Sequence, residues 1–189
     1  MKILGIDPGT ATTGWGLIEV NGEQCTVDSW GLIETDKETK TEDRLNKIFE
    51  GTLSILKKLK PDVFVFEKIF FAANAKTAIS VGQAQGVMLL AAARSKLAVA
   101  SYAPGTIKKL ITGNGRANKK EVQQAIRKIL GNQVKSRAHK KTHFDNAADA
   151  LAIALTHAMK ERPATPKSSD ICDPPSPRLR KGSPTICDI

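Results

Sequence analysis

Three acidic residues stand where a folded chain could bring their side chains together. Asp7 ends an apolar run over residues 3–6, Glu67 follows the apolar run over residues 63–66, and Asp149 lies near the start of an Ala-rich helical segment. Carboxylate oxygens are ligands that Mg²⁺ takes in proteins, together with water and substrate phosphates. Two such ions about 4 Å apart can activate a water molecule and stabilise the leaving 3′ oxygen of a phosphodiester. As a set, the three acids predict metal-dependent cleavage of a phosphodiester.

Each of these acids also has a structural alternative. A strand-end Asp before Pro-Gly is typical of a turn, which would account for Asp7. Glu67 would need no other role if its strand simply reached solvent there. Asp149 would be favourable near the positive end of a helix whose N-cap is Asp145 or Asn146. The sequence shows no Ser–His or Cys–His nucleophile pattern that competes with the metal interpretation, so the set is more informative than its members.

The chain is basic, and its positive charge is concentrated in one region. The net charge is +10, and residues 108–141 hold eleven Lys or Arg against one acid, a local net of +10. Such a block attracts polyanions and suits a phosphate backbone; a solvated lysine-rich surface is the alternative. Lysines at helix starts suit phosphates because exposed backbone N–H groups lie beside them. The predicted nucleic-acid contacts in this block are Lys108, Lys109, Arg116, Lys119 and Lys120.

Apolar periodicity predicts the elements that position these residues. Short apolar runs predict strands over residues 2–7, 13–20, 25–33, 63–66 and 99–102, with a hairpin turn at Asn21-Gly22. Helical spacing predicts helices over residues 42–59, 75–96, 105–112, 118–130 and 146–159. This order predicts an α/β fold with a five-stranded mixed sheet. In it, antiparallel hairpin strands are extended by parallel strands, and helices cover both faces.

Composition predicts one domain over residues 1–160, followed by a disordered Pro/Ser-rich tail over residues 161–189. Six of the nine prolines fall in the tail, which has too little apolar content to form a core. Cys25, Cys172 and Cys187 are odd in number and far apart, which argues against a disulfide framework or a zinc site. The first apolar run is too short for a signal peptide, and no run approaches about 20 apolar residues. We therefore expect a cytoplasmic protein.

Three segments resemble the RuvC family of Holliday junction resolvases (crossover junction endodeoxyribonucleases). They are residues 3–10 with Thr13-Gly14-Trp15-Gly16, residues 61–70 with Asn74 and residues 81–87, and residues 149–154. They occur in family order and span about residues 2–158. The Asp-Pro-Gly-Thr turn alone is weak evidence for this family, because actin-like ATPases begin with a similar sequence. The Glu67 segment joined to the helix that carries Gly82 and Gly86 is far more specific.

The resemblance implies a ribonuclease H-like fold and four metal-binding side chains. Asp7, Glu67 and Asp149 match the first, second and last acids of the family. The remaining acid normally lies three residues before the last, where this chain has Asn146. Asn offers an uncharged carboxamide oxygen, and Asp145 is a possible substitute ligand. The implied cofactor is Mg²⁺, two ions per site, with Mn²⁺ able to replace it.

The resemblance also implies how DNA is bound. Phe70 would stack on an unpaired base at the crossover, whereas core or loop packing is the alternative. The helix with Gly82 and Gly86 would lie near a two-fold homodimer interface, and a RuvA–RuvB branch-migration complex would be a partner. The expected function is symmetric nicking of four-way junctions during recombination and repair. Two alternatives stay open: a non-catalytic junction-binding protein, because of Asn146, and an actin-like ATP-binding fold.

Overall fold

The computed structural model describes residues 1–69, 75–131 and 141–161, with the backbone alone for 75–76 and 141–146. The strands are β1 (Lys2–Asp7), β2 (Thr12–Asn21), β3 (Gln24–Glu34), β4 (Val63–Glu67) and β5 (Ala98–Tyr102). The helices are α1 (Thr41–Leu59), α2 (Ala75–Arg94), α3 (Pro104–Thr112), α4 (Lys119–Leu130) and α5 (Lys141–Glu161).

The five strands form one mixed sheet in the order β3-β2-β1-β4-β5. β1, β2 and β3 are antiparallel neighbours, whereas β4 pairs parallel to β1 and β5 pairs parallel to β4. Gly22 makes the turn between β2 and β3 with a φ of 59°, which glycine adopts without steric cost. The predicted α/β architecture with a five-stranded mixed sheet is confirmed.

Two hydrophobic clusters cover the two faces of the sheet, and the side chains of β1 alternate between them. Ile3 packs in the cluster that includes α3, α4 and α5. Leu4 and Ile6 pack in the cluster that includes α1 and α2. Because successive strand residues point to opposite faces, Gly5 and Asp7 share the α5 face with Ile3.

α5 lies directly on β1 and β2 because two glycines face it. Gly5 and Gly16 are partners across the β1–β2 ladder. A Cβ at Gly5 would collide with the carbonyl oxygen of Ala150, and a Cβ at Gly16 would lie 2.7 Å from the side chain of Leu151. The glycines therefore let the backbone of α5 approach the sheet closely.

α5 begins five residues before the predicted start at residue 146, so part of the sequence interpretation was wrong. Asp145 and Asn146 lie inside the helix and are not its N-cap, and Asp149 lies in the third turn, farther from the helix start than predicted. Residues 140–144 carry no apolar repeat that would have signalled helix. α2 ends at Arg94, because Lys96 adopts a φ of 55° that stops a right-handed helix. The predicted tail beyond Glu161 lies outside the described residues and stays a prediction.

Candidate active site

Asp7 and Glu67 end neighbouring parallel strands at the same edge of the sheet. Ile6 of β1 pairs with Phe66 of β4, so the next position along the ladder places Asp7 beside Glu67. Val63 and Val65 pack in the cluster on the α5 face. Because Glu67 is two residues beyond Val65, its side chain also points to that face.

Asp149 reaches the same edge from α5. Its neighbours Ala148 and Ala150 are fully buried against the sheet, whereas the Asp149 side chain stays 27% exposed. Burial, then the carboxylates of Asp149 and Glu67, raise the pKa of Asp7 from 3.8 to about 7, and Lys119 opposes the rise. Burial, then Asp149, also raise the pKa of Glu67, and Lys108 opposes that rise. The structure thus brings the three predicted acids into one electrostatically coupled group.

Lysine ammonium groups balance part of this negative charge. Nζ of Lys119 lies 2.8 Å from Oδ2 of Asp149. Lys119 is held there by α4, whose first turn is closed by a reciprocal pair of hydrogen bonds between Asn118 and Glu121. In such a capping box each side chain accepts from the backbone N–H of the other residue. The first turn of α4 therefore places the ammonium group of Lys119 beside the acids.

The donor chemistry of the site fits a hard divalent cation. Carboxylates that repel one another when ionised lose that repulsion when a cation binds between them. Among the described side chains, no three acids, histidines or cysteines already stand at metal-binding distances from one point. Because Mg²⁺ commonly keeps several waters, the three acids would need to supply only part of its coordination shell, with water or phosphate completing it.

A cavity of about 240 Å³ opens beside two of these acids, Asp7 and Glu67. Asp7, Glu67 and Lys68 line its strand side, and Val81 and Pro104 are among the residues that enclose it. One water occupies about 30 Å³ of liquid, so this space has the volume of several water molecules. We call it the acid cavity.

The predicted DNA-contacting residues do not all lie at the acids. Lys108 and Lys119 act electrostatically on Glu67 and Asp7. Lys109 lines a different cavity beside α3, whereas Arg116 and Lys120 are exposed. Phe70 lies outside the described residues, and the side chains of Asp145 and Asn146 are not described, so their roles stay predictions.

Sequence reasoning missed Tyr102. It ends β5 and pairs with Glu67 in the ladder, so it continues the row of strand-end residues begun by Asp7 and Glu67. Its hydroxyl lies 2.8 Å from Nδ1 of His157 on α5. The signal was available, since Tyr102 is the last residue of the strand predicted over residues 99–102.

A five-stranded mixed sheet with α5 laid across it and carboxylates at the ends of β1 and β4 is the arrangement expected of the ribonuclease H-like class of nucleases. A family model described as crossover junction endodeoxyribonuclease RuvC matches residues 3–157. The RuvC of Thermotoga petrophila is 44% identical over 162 residues, which cover 86% of this chain and 94% of that protein. The RuvC of Fusobacterium nucleatum is 43% identical, covering 83% and 80%. The chain belongs to the RuvC family of crossover junction endodeoxyribonucleases, the enzymes that resolve Holliday junctions.

Solved structures agree with this assignment. The Thermus thermophilus RuvC in complex with Holliday junction substrate superposes with a TM-score of 0.76 at 33% identity, covering 86% of this chain and 95% of that one. Nucleases of this family are metal-dependent. Neither a non-catalytic binding protein nor an actin-like ATP-binding fold is supported. Among the described helices, none has the length and apolar character needed to cross a membrane.

Proposed function

We propose that this chain nicks two opposing strands of a four-way DNA junction in a Mg²⁺-dependent reaction, leaving 5′-phosphate and 3′-hydroxyl ends. The observation that carries the proposal is the convergence of Asp7, Glu67 and Asp149 at one edge of the sheet, beside lysines. The similarity to the Thermus thermophilus RuvC, which was solved in complex with Holliday junction substrate, supports junction DNA as the substrate.

Asp7, Glu67 and Asp149 would hold the divalent cations. When bound, these ions supply an activated water and stabilise the leaving oxygen. Asp7 must give up the proton that its raised pKa lets it keep near neutral pH. The ammonium of Lys119 would compete with the cation for Oδ2 of Asp149. Once displaced, Lys119 is placed to contact a phosphate of the bound strand.

A fourth ligand would come from Asn146 or Asp145. Both lie on α5 within one turn before Asp149, so the helical backbone permits either to reach the same side. Replacing each with Ala and measuring Mg²⁺-dependent cleavage separates them. Full activity in both variants would refute a fourth ligand from this turn.

The protein would act as a homodimer. Ile79, Gln83, Gly86 and Leu90 are exposed and recur at helical spacing on α2, and a Cβ at Gly86 would meet nothing within 4 Å. Ile79 and Leu90 are 63% and 54% exposed, so two large apolar residues of this stripe are left uncovered by the rest of the described structure. A two-fold dimer would bury this stripe and give two matched nicks. We further propose a cytoplasmic location, on the cysteine usage and apolar runs of the sequence, and a RuvA–RuvB partner, by family resemblance.

One assay tests the central proposal. Purified protein is incubated with a synthetic four-way junction or a linear duplex of the same sequence, with and without Mg²⁺. We expect paired symmetric nicks in the junction alone and only with Mg²⁺. Asp7→Asn should abolish nicking while leaving junction binding largely intact, because it removes a ligand but no phosphate contact. Nicking by Asp7→Asn, or equal cutting of the duplex, would contradict the proposal.

A further inference from the structure

We propose that a second cavity, beside α3, holds the backbone of the DNA strand that leaves the acids, with Lys160 as a phosphate contact. This cavity, the α3 cavity, measures about 870 Å³ and is lined by Ala103, Pro104, Lys109, Leu110 and Lys160 among others. The inference rests on the proposed function, and it assigns a binding role to the C-terminal end of α5.

The α3 cavity lies next to the row of strand-end residues at this edge of the sheet. Asp7, Glu67 and Tyr102 end the adjacent parallel strands β1, β4 and β5, and Ala103 and Pro104 follow Tyr102 directly. Pro104 lines both the acid cavity and the α3 cavity. A strand with one phosphate at the acids, running along this edge of the sheet, would therefore pass from the first cavity to the second.

The chemistry of the lining suits a sugar–phosphate backbone. Ala103, Pro104 and Leu110 provide an apolar floor that can contact deoxyribose, and the lining residues include two lysines, Lys109 and Lys160, but no acid. Two ammonium groups around an apolar floor favour a flexible polyanion. Lysine and arginine contacts to phosphates position a nucleic acid without reading its sequence.

Contacts with Tyr102 hold Lys160 in place before DNA binds. Nζ of Lys160 lies 5.5 Å from the centre of the Tyr102 ring, within the range of a cation–π interaction. The ring is fixed in turn by its hydrogen bond with His157. The cation–π contact favours positions of the exposed Lys160 side chain beside the α3 cavity, which would lower the entropy cost of a phosphate contact.

The test is the salt dependence of junction binding by the full chain in EDTA, where no cleavage occurs. Fluorescence anisotropy compares wild type, Lys160→Met, Lys160→Arg and Lys58→Met. Lys58→Met removes the same charge from an exposed site on α1, on the opposite face of the sheet. A lost phosphate contact lowers the slope of log K against log salt by about 0.9. Lys160→Met should therefore bind about eightfold more weakly near 0.1 M salt and only about twofold more weakly near 0.5 M.

We expect Lys160→Arg to retain the wild-type slope and Lys58→Met to change it by much less. Thermal unfolding of each variant checks that the fold is intact. If Lys160→Met matched Lys58→Met in affinity and slope, the α3 cavity would not hold the DNA backbone. That result leaves junction nicking by the wild type untouched, whereas absence of Mg²⁺-dependent nicking would refute the proposed function itself.

Discussion

Asp7→Asn should stabilise the metal-free protein although it should abolish cleavage. Burial and the carboxylates of Asp149 and Glu67 raise the pKa of Asp7 from 3.8 to about 7. Between these two values the folded protein keeps a proton at Asp7 that the unfolded chain has lost. Because the folded state then binds more protons, the free energy of unfolding falls as the pH rises through this window.

The size of the effect follows from the two pKa values. One pKa unit corresponds to about 1.36 kcal/mol, so above pH 7 the ionised Asp7 lowers stability by roughly 4 kcal/mol. Near pH 5 the folded protein still holds the proton, whereas Asp7 of the unfolded chain is mostly ionised. The free energy of unfolding is therefore lower by roughly 2 kcal/mol than it would be with a residue that does not ionise. Asn does not ionise. The advantage of Asp7→Asn over wild type should therefore grow by roughly 2–3 kcal/mol from about pH 5 to about pH 8.

Urea unfolding in EDTA at the two pH values measures this difference. The comparison across pH cancels any constant change in packing or hydrogen bonding between Asp and Asn. Glu50→Gln, at an exposed position on α1, controls for removing a carboxylate. A stability difference that does not change with pH would refute the claim that ionised Asp7 works against folding. Added Mg²⁺ near pH 8 should stabilise wild type more than Asp7→Asn, because binding to the folded state raises its stability.

Three further substitutions test other parts of the site. Lys119→Met should tighten Mg²⁺ binding roughly two- to fivefold, because it removes a half-exposed ion pair that competes with the metal for Asp149. Calorimetric titration without DNA measures this affinity, and weaker binding would contradict the competition. Leu90→Glu should convert the proposed dimer to monomer in light scattering, whereas Lys57→Glu on α1 should not; a Leu90→Glu dimer would place the interface elsewhere. Gly5→Ala should abolish nicking, and it should lower the free energy of unfolding in urea by about 1–3 kcal/mol, because the new Cβ forces α5 off the sheet. Nicking at the wild-type rate would show that the close approach of α5 is dispensable.

Most of the fold follows from local patterns. The strands are short apolar runs bounded by turn residues, and α1, α3 and α4 repeat apolar residues at helical spacing, so their bounds could be predicted within one or two residues. The start of α5 could not. Its first residues, Lys141-Thr142-His143, carry no apolar repeat, and the Ala-rich run that marks the helix in the sequence begins only at Ala147.

The acids of the site could be proposed from sequence, but their environment could not. Asp7 and Glu67 are recognisable as strand ends, and parallel pairing brings strand ends to one edge. The contact between Lys119 and Asp149 joins residues 30 positions apart on different helices, which only tertiary packing can determine. The α3 cavity depends in the same way on α5 crossing from the acids to β5.

Close packing of α5 sets the charge density of the site. Ala150 and Leu151 lie over Gly5 and Gly16, one and two residues after Asp149, so the position of the Asp149 carboxylate depends on two missing Cβ atoms. Moving α5 outward would expose Asp7 and take Asp149 away from it, so the burial and the repulsion that raise the pKa of Asp7 would both weaken. In Gly5→Ala the stability of the metal-free protein should therefore vary less between about pH 5 and about pH 8 than in wild type. An undiminished pH dependence together with lost nicking would mean that Gly5 acts on catalysis by some route other than the spacing of the acids.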